Sequence, residues 1–347
     1  MKDRFDGWLP IRVYSDGDAF RVDWCHFGSR RLVDPFFRDS VEAALREPFN
    51  LAFRQDTAID ALVEYADECP GIPPTAFICH ASRCGSTLLA RMLMSLPEYV
   101  VASEPPLLDK VLRAHLRLPT LDRDMQRRWL RATLSALAQP RAGGESRFVV
   151  KLDAWNITET ALMREAFPGV PWIFVYRDPL EIAASQLNMP GMQVVPGALG
   201  PSPALIPRED ALGMSRVEFV ARSVGRILEA GHQACTQLGG RPVHYRELPD
   251  ALWTSLAADF RIDAETSVLS SLREAARFDA KNPYFEFDPE AERKQLAPTT
   301  ELATAVERYA QPAYRALEAL RHTFAPQAPA SHVRPAGDSK VRARPTP

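Results

Sequence analysis

The segment FICHASRCGSTLLARML, residues 77 to 93, constrains the chain more than any other stretch. It places a buried apolar run, a tight turn at Gly85 and a helix opening at Ser86 and Thr87 in direct succession. Backbone N–H groups of such a turn converge with those of the helix N-terminus, and the helix dipole adds positive potential, so the layout is that of an anion site. Gly85 permits close approach of backbone to a ligand, and the hydroxyls of Ser86 and Thr87 add donors.

The pattern around this joint is that of a parallel α/β sheet. Short apolar runs at 75–80, 99–102, 147–152, 172–177 and 242–246 read as strands. Helical spacing fills the intervals at 86–95, 106–117, 123–138, 156–167, 179–187 and 213–237. Strands apolar on both faces belong to a sheet covered on both sides. Residues 10 to 33 alternate around Ser15-Asp16-Gly17-Asp18 and predict a β-hairpin. Asp39-Ser40 can cap a helix over SVEAALREPF, and a second helix is expected over 57–67, before the break PGIPP. The expected organisation is a small α+β cap over 1–72, an α/β domain over 73–324, and a Pro/Ala-rich tail over 325–347 whose composition predicts disorder. The Pro- and Gly-rich stretch 188–212 reads as a functional loop or lid.

With 42 Lys+Arg against 44 Asp+Glu, bulk attraction to nucleic acid or to an anionic membrane is not supported, and any anion site must be local. The five cysteines form no C-x-x-C pair, which argues against a disulfide framework or structural zinc and fits a reducing compartment. No apolar leader opens the chain, and no run reaches the roughly 18 apolar residues of a membrane span, so a cytoplasmic location without an anchor is expected.

The turn departs from the Walker A pattern, because no Gly stands five residues before Gly85 and no Lys follows it. Arg83 is instead the fixed cation of the loop, with a planar fork suited to a phosphosulfate bridge. On these residues SRCGSTLL resembles the 5′-phosphosulfate loop of sulfotransferases that use 3′-phosphoadenosine 5′-phosphosulfate (PAPS), with Cys84 in place of Ser or another small residue. A thiol at a helix N-terminus can acquire a depressed pKa, the plainer alternative being an inert spacer. WIFVYRDPLEIAASQ is similar to the 3′-phosphate motif of the same families, which implies that Arg177 and Ser185 hold that phosphate. Asp178 and Pro179 supply an N-cap and a first-turn proline, so the helix carrying Ser185 begins at once.

The resemblance implies a P-loop-NTPase-like fold. It also implies in-line sulfuryl transfer to a hydroxyl or amine acceptor, whether small molecule, glycan or peptide, with no metal. Positioning and charge stabilisation dominate such chemistry. Glu104, just past the second strand of the sheet, is the first candidate for the base, as in the tyrosylprotein-type enzymes that this region resembles; it could equally cap the helix near Pro106. RFVVKLDAW is similar to the strand in which cytosolic sulfotransferases carry a Lys beside the transferring group and, two residues on, a His base. Lys151 matches the Lys; Asp153 stands at the His position and is the second candidate. Cofactor contacts are expected from Arg83, Cys84, Gly85, Ser86, Thr87, Arg177 and Ser185, with catalysis from Arg83, Glu104 and Lys151. A late cation from Lys281, Arg293 or Lys294 would close on the 3′-phosphate. His80, His115, His232 and His244 lack metal-ligand spacing and read as structural. The rival reading is a P-loop kinase or NTPase, which the missing Walker lysine opposes.

Overall fold

In the computed structural model, residues 4–17, 19–200, 202–263, 265–280, 285–286 and 298–324 are described. Lys281, Arg293, Lys294 and the tail 325–347 lie outside them. The architecture is α/β: a five-stranded sheet flanked by helices, with a small antiparallel sheet at the N-terminus. The large sheet contains β4 (Pro74–His80), β5 (Tyr99–Ser103), β6 (Arg147–Lys151), β7 (Trp172–Tyr176) and β8 (Arg241–His244) in the order β5-β6-β4-β7-β8. All four pairings are parallel. Helices and apolar clusters cover both faces, which is why these strands are apolar at almost every position.

This order determines where chemistry can gather. The central strand β4 feeds the anion turn, and its neighbours β6 and β7 end beside it in Lys151 and, one residue past Tyr176, Arg177. The next strand out, β5, ends at Ser103, immediately before Glu104. The turn, Lys151, Arg177 and Glu104 thus sit at the carboxyl edge, where open α/β sheets bind ligands.

The N-terminal sheet holds β1 (Trp8–Asp16), β2 (Ala19–His26) and β3 (Gln55–Ala58). The helix expected over 57–67 begins instead at Ile59 and runs to Glu68, because Gln55–Ala58 pairs antiparallel with β2. A four-residue strand with one buried side chain carries too little alternation to be read from sequence. Asp39 and Ser40 do not cap the helix over Phe37–Leu45; the Ser40 hydroxyl donates to Asp34 instead. The hairpin, the Ile59–Glu68 helix and the large sheet share one apolar cluster, which includes Phe5, Trp24, Tyr65 and Phe148. Ser103 donates from its hydroxyl to the Pro35 carbonyl, bringing the cap to the sheet's carboxyl edge.

Two long helical stretches are interrupted. The expected 106–117 helix divides into Pro106–Leu112 and Ala114–Arg117, and near the C-terminus Thr300–Tyr309 and Gln311–Phe324 form two helices separated at Ala310. Among its described residues the 188–212 stretch is mostly irregular, with a 3-10 turn at Met192–Val194 and a four-residue helix at Arg208–Ala211. It is tied to the body by Arg113 and Arg226, which donate to the carbonyls of Leu199 and Leu205. No helix among the described residues is long and apolar enough to cross a membrane.

Candidate functional site

The turn after β4 is built from left-handed backbone. Ser82 and Arg83 adopt φ of 64° and 50°, followed by Gly85 at 84°. Such torsions cost energy for residues with a Cβ and persist where the surroundings over-determine them. Here the Ser82 N–H donates to His80 Nδ1 at 3.0 Å, the Ser82 hydroxyl accepts from the buried Gln186 at 3.0 Å, and the Cys84 thiol donates to the Val175 carbonyl at 3.1 Å. The helix Ser86–Met94 then starts at Gly85 with no side-chain cap, leaving its first N–H groups to serve the turn.

Cys84 points into the core, and burial pushes its thiol up to about 11, so it is neither a reactive thiolate nor a side-chain ligand. Arg83 is half-buried at the rim, and one guanidinium nitrogen donates to the Met189 carbonyl at 2.6 Å, tying the turn to the start of the 188–212 stretch. Burial pulls the guanidinium below its ordinary value, with the charge of Glu104 opposing.

Lys151 is fully buried, and its Nζ lies 2.7 Å from Glu104 Oε1, 3.1 Å from Thr87 Oγ1 and 3.5 Å from Ser103 Oγ. The Phe36 ring, contributed by the N-terminal region, sits 4.8 Å from the ammonium. Turn, β5, β6 and cap therefore meet at one cation. The cap's contribution was not legible in sequence, because an aromatic side chain carries no sign of the charge that it will cover.

Glu104 also has left-handed backbone, at φ 53°, and its N–H donates to the Lys151 carbonyl at 2.8 Å. Burial opposes ionisation of its carboxyl, but Lys151 and then His80 outweigh it and hold the group well below the usual carboxylate range. The helix Pro106–Leu112 has Pro105 as its N-cap residue with no side-chain cap, so Glu104 does not serve as one. Asp153, the alternative base, is driven the other way: burial first, then the charges of Glu104 and Asp109, raise its pKa well above normal. The two candidate carboxyls are thus driven in opposite directions, Glu104 toward its ionised form and Asp153 toward its protonated one.

His80 also reaches this site. Read as structural, it is buried between the turn and Glu104, with Nε2 3.1 Å from Glu104 Oε1. That approach is out of line for a full hydrogen bond, and Nε2 finds no other partner among the described residues. Its position at the last residue of β4 was the available signal.

Arg177 and Ser185 occupy the expected elements. Asp178 caps the helix Pro179–Asn188 by accepting from the N–H groups of Leu180 and Glu181 at 2.8 and 3.4 Å. Ser185 is half-buried two turns into that helix. The Arg177 guanidinium bonds Glu181 and lies 4.3 Å from the centre of the Tyr245 ring. The same ring packs on Gly85, where a Cβ would meet it at 2.7 Å. Tyr245 thus lies between the two separately recognised motifs.

A second buried ionic group borders the site. Asp109 takes a two-pronged contact from Arg113 at 2.7 and 2.8 Å and accepts from Trp155 Nε1 at 2.6 Å and Asn156 Nδ2 at 2.8 Å. Arg113 connects this group to Leu199 in the 188–212 stretch.

No family model and no curated protein matches the sequence. Among solved structures, the chain is similar to a sulfotransferase domain from the curacin biosynthetic pathway, at 15% identity over 69% of this chain and 98% of that one, with a TM-score of 0.43. It is also similar to a sulfotransferase from Mycobacterium avium, at 11% identity over 69% of this chain and 79% of that one, TM-score 0.42. A sulfotransferase from Alicyclobacillus acidocaldarius matches at 17% identity over 72% and 96%, TM-score 0.35. At these values the functional reading has to be carried by the side chains themselves.

Proposed function

We propose that this chain is a sulfotransferase that moves a sulfuryl group from PAPS to a hydroxyl or amine acceptor, whether small molecule, glycan or peptide. The observation that carries the reading is the buried Lys151, placed between Thr87 of an anion turn and the carboxylate of Glu104. A fixed cation beside a phosphate cradle suits charge that builds on a leaving phosphate, and a carboxylate against the same cation suits the acceptor's proton. An arginine at the turn in place of the Walker lysine favours phosphosulfate over Mg-ATP.

The residues fit the bisphosphate end of PAPS in composition. The turn 82–87 would hold the 5′ group through backbone N–H, Ser86 and Thr87. Arg177 and Ser185 would hold the 3′-phosphate, with Glu181 giving up the guanidinium to the incoming dianion. PAPS supplies an electrophilic sulfur on a good leaving group when bound. Arg83 and Lys151 stabilise the departing charge, and Glu104 takes the acceptor's proton once Lys151 turns toward phosphate. The low affinity of paired Glu104 for protons makes it a weak base at rest, so competition for Lys151 is what would raise its basicity.

Calorimetric titration with adenosine 3′,5′-bisphosphate, AMP and ATP tests the nucleotide half. Much tighter binding of the bisphosphate is expected, and equal affinity for AMP would remove the PAPS assignment. Transfer of radiolabelled sulfate from PAPS to a panel of phenols, sugars, amines and peptides tests the rest.

A further inference from the structure

His80 has no part in the reaction as outlined, yet it touches two of the elements that carry it. It ends β4 and is nearly fully buried, with each ring nitrogen facing a different part of the site. Nδ1 accepts the N–H of Ser82 at 3.0 Å, the first residue of the left-handed turn that presents Arg83. An accepting Nδ1 places the proton of the neutral ring on Nε2, and Nε2 lies 3.1 Å from Glu104 Oε1. The charged or polar groups facing the ring are Glu104, Lys151 and the Leu152 carbonyl. Burial lowers the pKa of the ring, and the Lys151 charge adds to this, against the raising effect of Glu104 and Leu152.

We propose that His80 is a positioning residue which couples the anion turn to Glu104. Its Nδ1 fixes the Ser82 peptide and hence the backbone N–H groups of the turn that would hold the 5′ group. Its Nε2–H holds the Glu104 carboxylate in place when Lys151 leaves it for phosphate. The out-of-line geometry at Nε2 fits this second part, since Oε1 is drawn toward Lys151 in the resting pair and can align with His80 once that pull is shared. The role assigned to Glu104 rests on the sulfuryl-transfer reading; the bridge between Ser82 and Glu104 does not.

The two halves separate by substitution, because Asn places its Oδ1 where Nδ1 stands and Gln places its Nε2 where the imidazole Nε2 stands. For the full chain, His80→Asn is expected to keep affinity for adenosine 3′,5′-bisphosphate within about twofold and to lower kcat at least tenfold, the loss of one hydrogen bond to a charged group. His80→Gln is expected to keep most of kcat and to weaken bisphosphate binding by about three- to tenfold, the loss of one neutral hydrogen bond. Parallel losses in kcat and affinity in both variants, or none in either, would overturn the proposal. Imidazole 15N spectra of the native chain between pH 6 and 8 read the bridge without any turnover. An Nε2–H tautomer throughout supports it, and an Nδ1–H ring overturns it. Should the native chain transfer no sulfate while showing the Nε2–H tautomer, the proposed reaction fails and the bridge stands.

Discussion

Glu104 and Lys151 form an ion pair of 2.7 Å in which the lysine is fully buried and the carboxylate keeps only about a fifth of its side chain exposed. Removing one partner of such a pair leaves a charge with no compensation, at a cost of about 3–5 kcal/mol. Glu104→Gln is therefore expected to lower unfolding free energy by about that amount in urea titrations. Glu104→Gln combined with Lys151→Met should recover most of it. Turnover should fall about 10²- to 10⁴-fold in the single variant, the ordinary contribution of a general base, with bisphosphate binding nearly unchanged. Full turnover in Glu104→Gln together with loss in Asp153→Asn would transfer the base to Asp153.

The sign of the pH effect follows from the direction of the Glu104 shift. A carboxyl held below its ordinary value in the fold contributes stability that is complete above that ordinary value of 4.5 and is lost progressively as pH falls from there through the lower folded value. An acidic limb of the rate profile due to Glu104 in the resting enzyme accordingly lies below pH 4.5 and not near neutrality. A limb near neutrality that survives in Glu104→Gln would belong to another group.

Glu159 behaves oppositely. It is buried, and burial pushes its carboxyl up to about 7 despite Thr158 and the nearby Arg123 and Arg113. A raised acid favours the fold below its ordinary value of 4.5, and that advantage is lost as pH climbs to about 7. Unfolding free energy of the native chain should fall over this window by up to roughly 3 kcal/mol from this group, and Glu159→Gln should flatten the fall. Urea titrations at pH 5 and pH 8 measure both. An unchanged slope in Glu159→Gln would show that Glu159 is not the group responsible.

How far the sequence carried this picture depends on the range of the signal. The five strands of the large sheet and the anion turn were legible because each is a local pattern: a short apolar run, then glycine and hydroxyls at a helix start. Arg177, Asp178 and Pro179 were legible for the same reason, since cap, proline and cation adjoin in sequence. What the sequence withheld is contact at a distance. The Phe36 ring over Lys151, the Tyr245 ring against Gly85 and Arg177, and the Asp109 network with Trp155 and Asn156 join residues that no spacing rule connects. His80 was read on metal-ligand spacing alone, and its place between the turn and Glu104 comes from ending the central strand.

Arg83→Ala should abolish most turnover, by about 10²- to 10³-fold, with only a modest loss of bisphosphate affinity, because the cation's stabilisation grows as charge builds on the leaving phosphate. Arg83→Lys keeps the charge without the planar fork and should retain part of the rate. The Ala variant also releases the Met189 carbonyl, so the 188–212 stretch should be cut faster by protease. Unchanged kcat in Arg83→Ala would remove the residue from the mechanism, whatever the proteolysis shows.

Gly85 allows the last prediction to separate two physical costs. Its φ of 84° is unfavourable for any residue with a Cβ, by roughly 1 kcal/mol. Its added Cβ would also stand 2.7 and 2.9 Å from the Tyr245 ring and 3.1 Å from Leu248. Gly85→Ala must therefore displace Tyr245, and with it the ring beside which Arg177 lies. The expected outcome is loss of bisphosphate affinity beyond what a distorted turn alone produces, with selectivity over AMP falling as well. Adding Tyr245→Ala to Gly85→Ala removes the clash and leaves the torsional cost. If steric displacement dominates, the double variant should recover stability relative to Gly85→Ala while selectivity for the 3′-phosphate stays low, since the ring beside Arg177 is then absent. If the double variant is no more stable than Gly85→Ala, the backbone torsion is the governing cost, and the turn's left-handed geometry is what fixes glycine at this position.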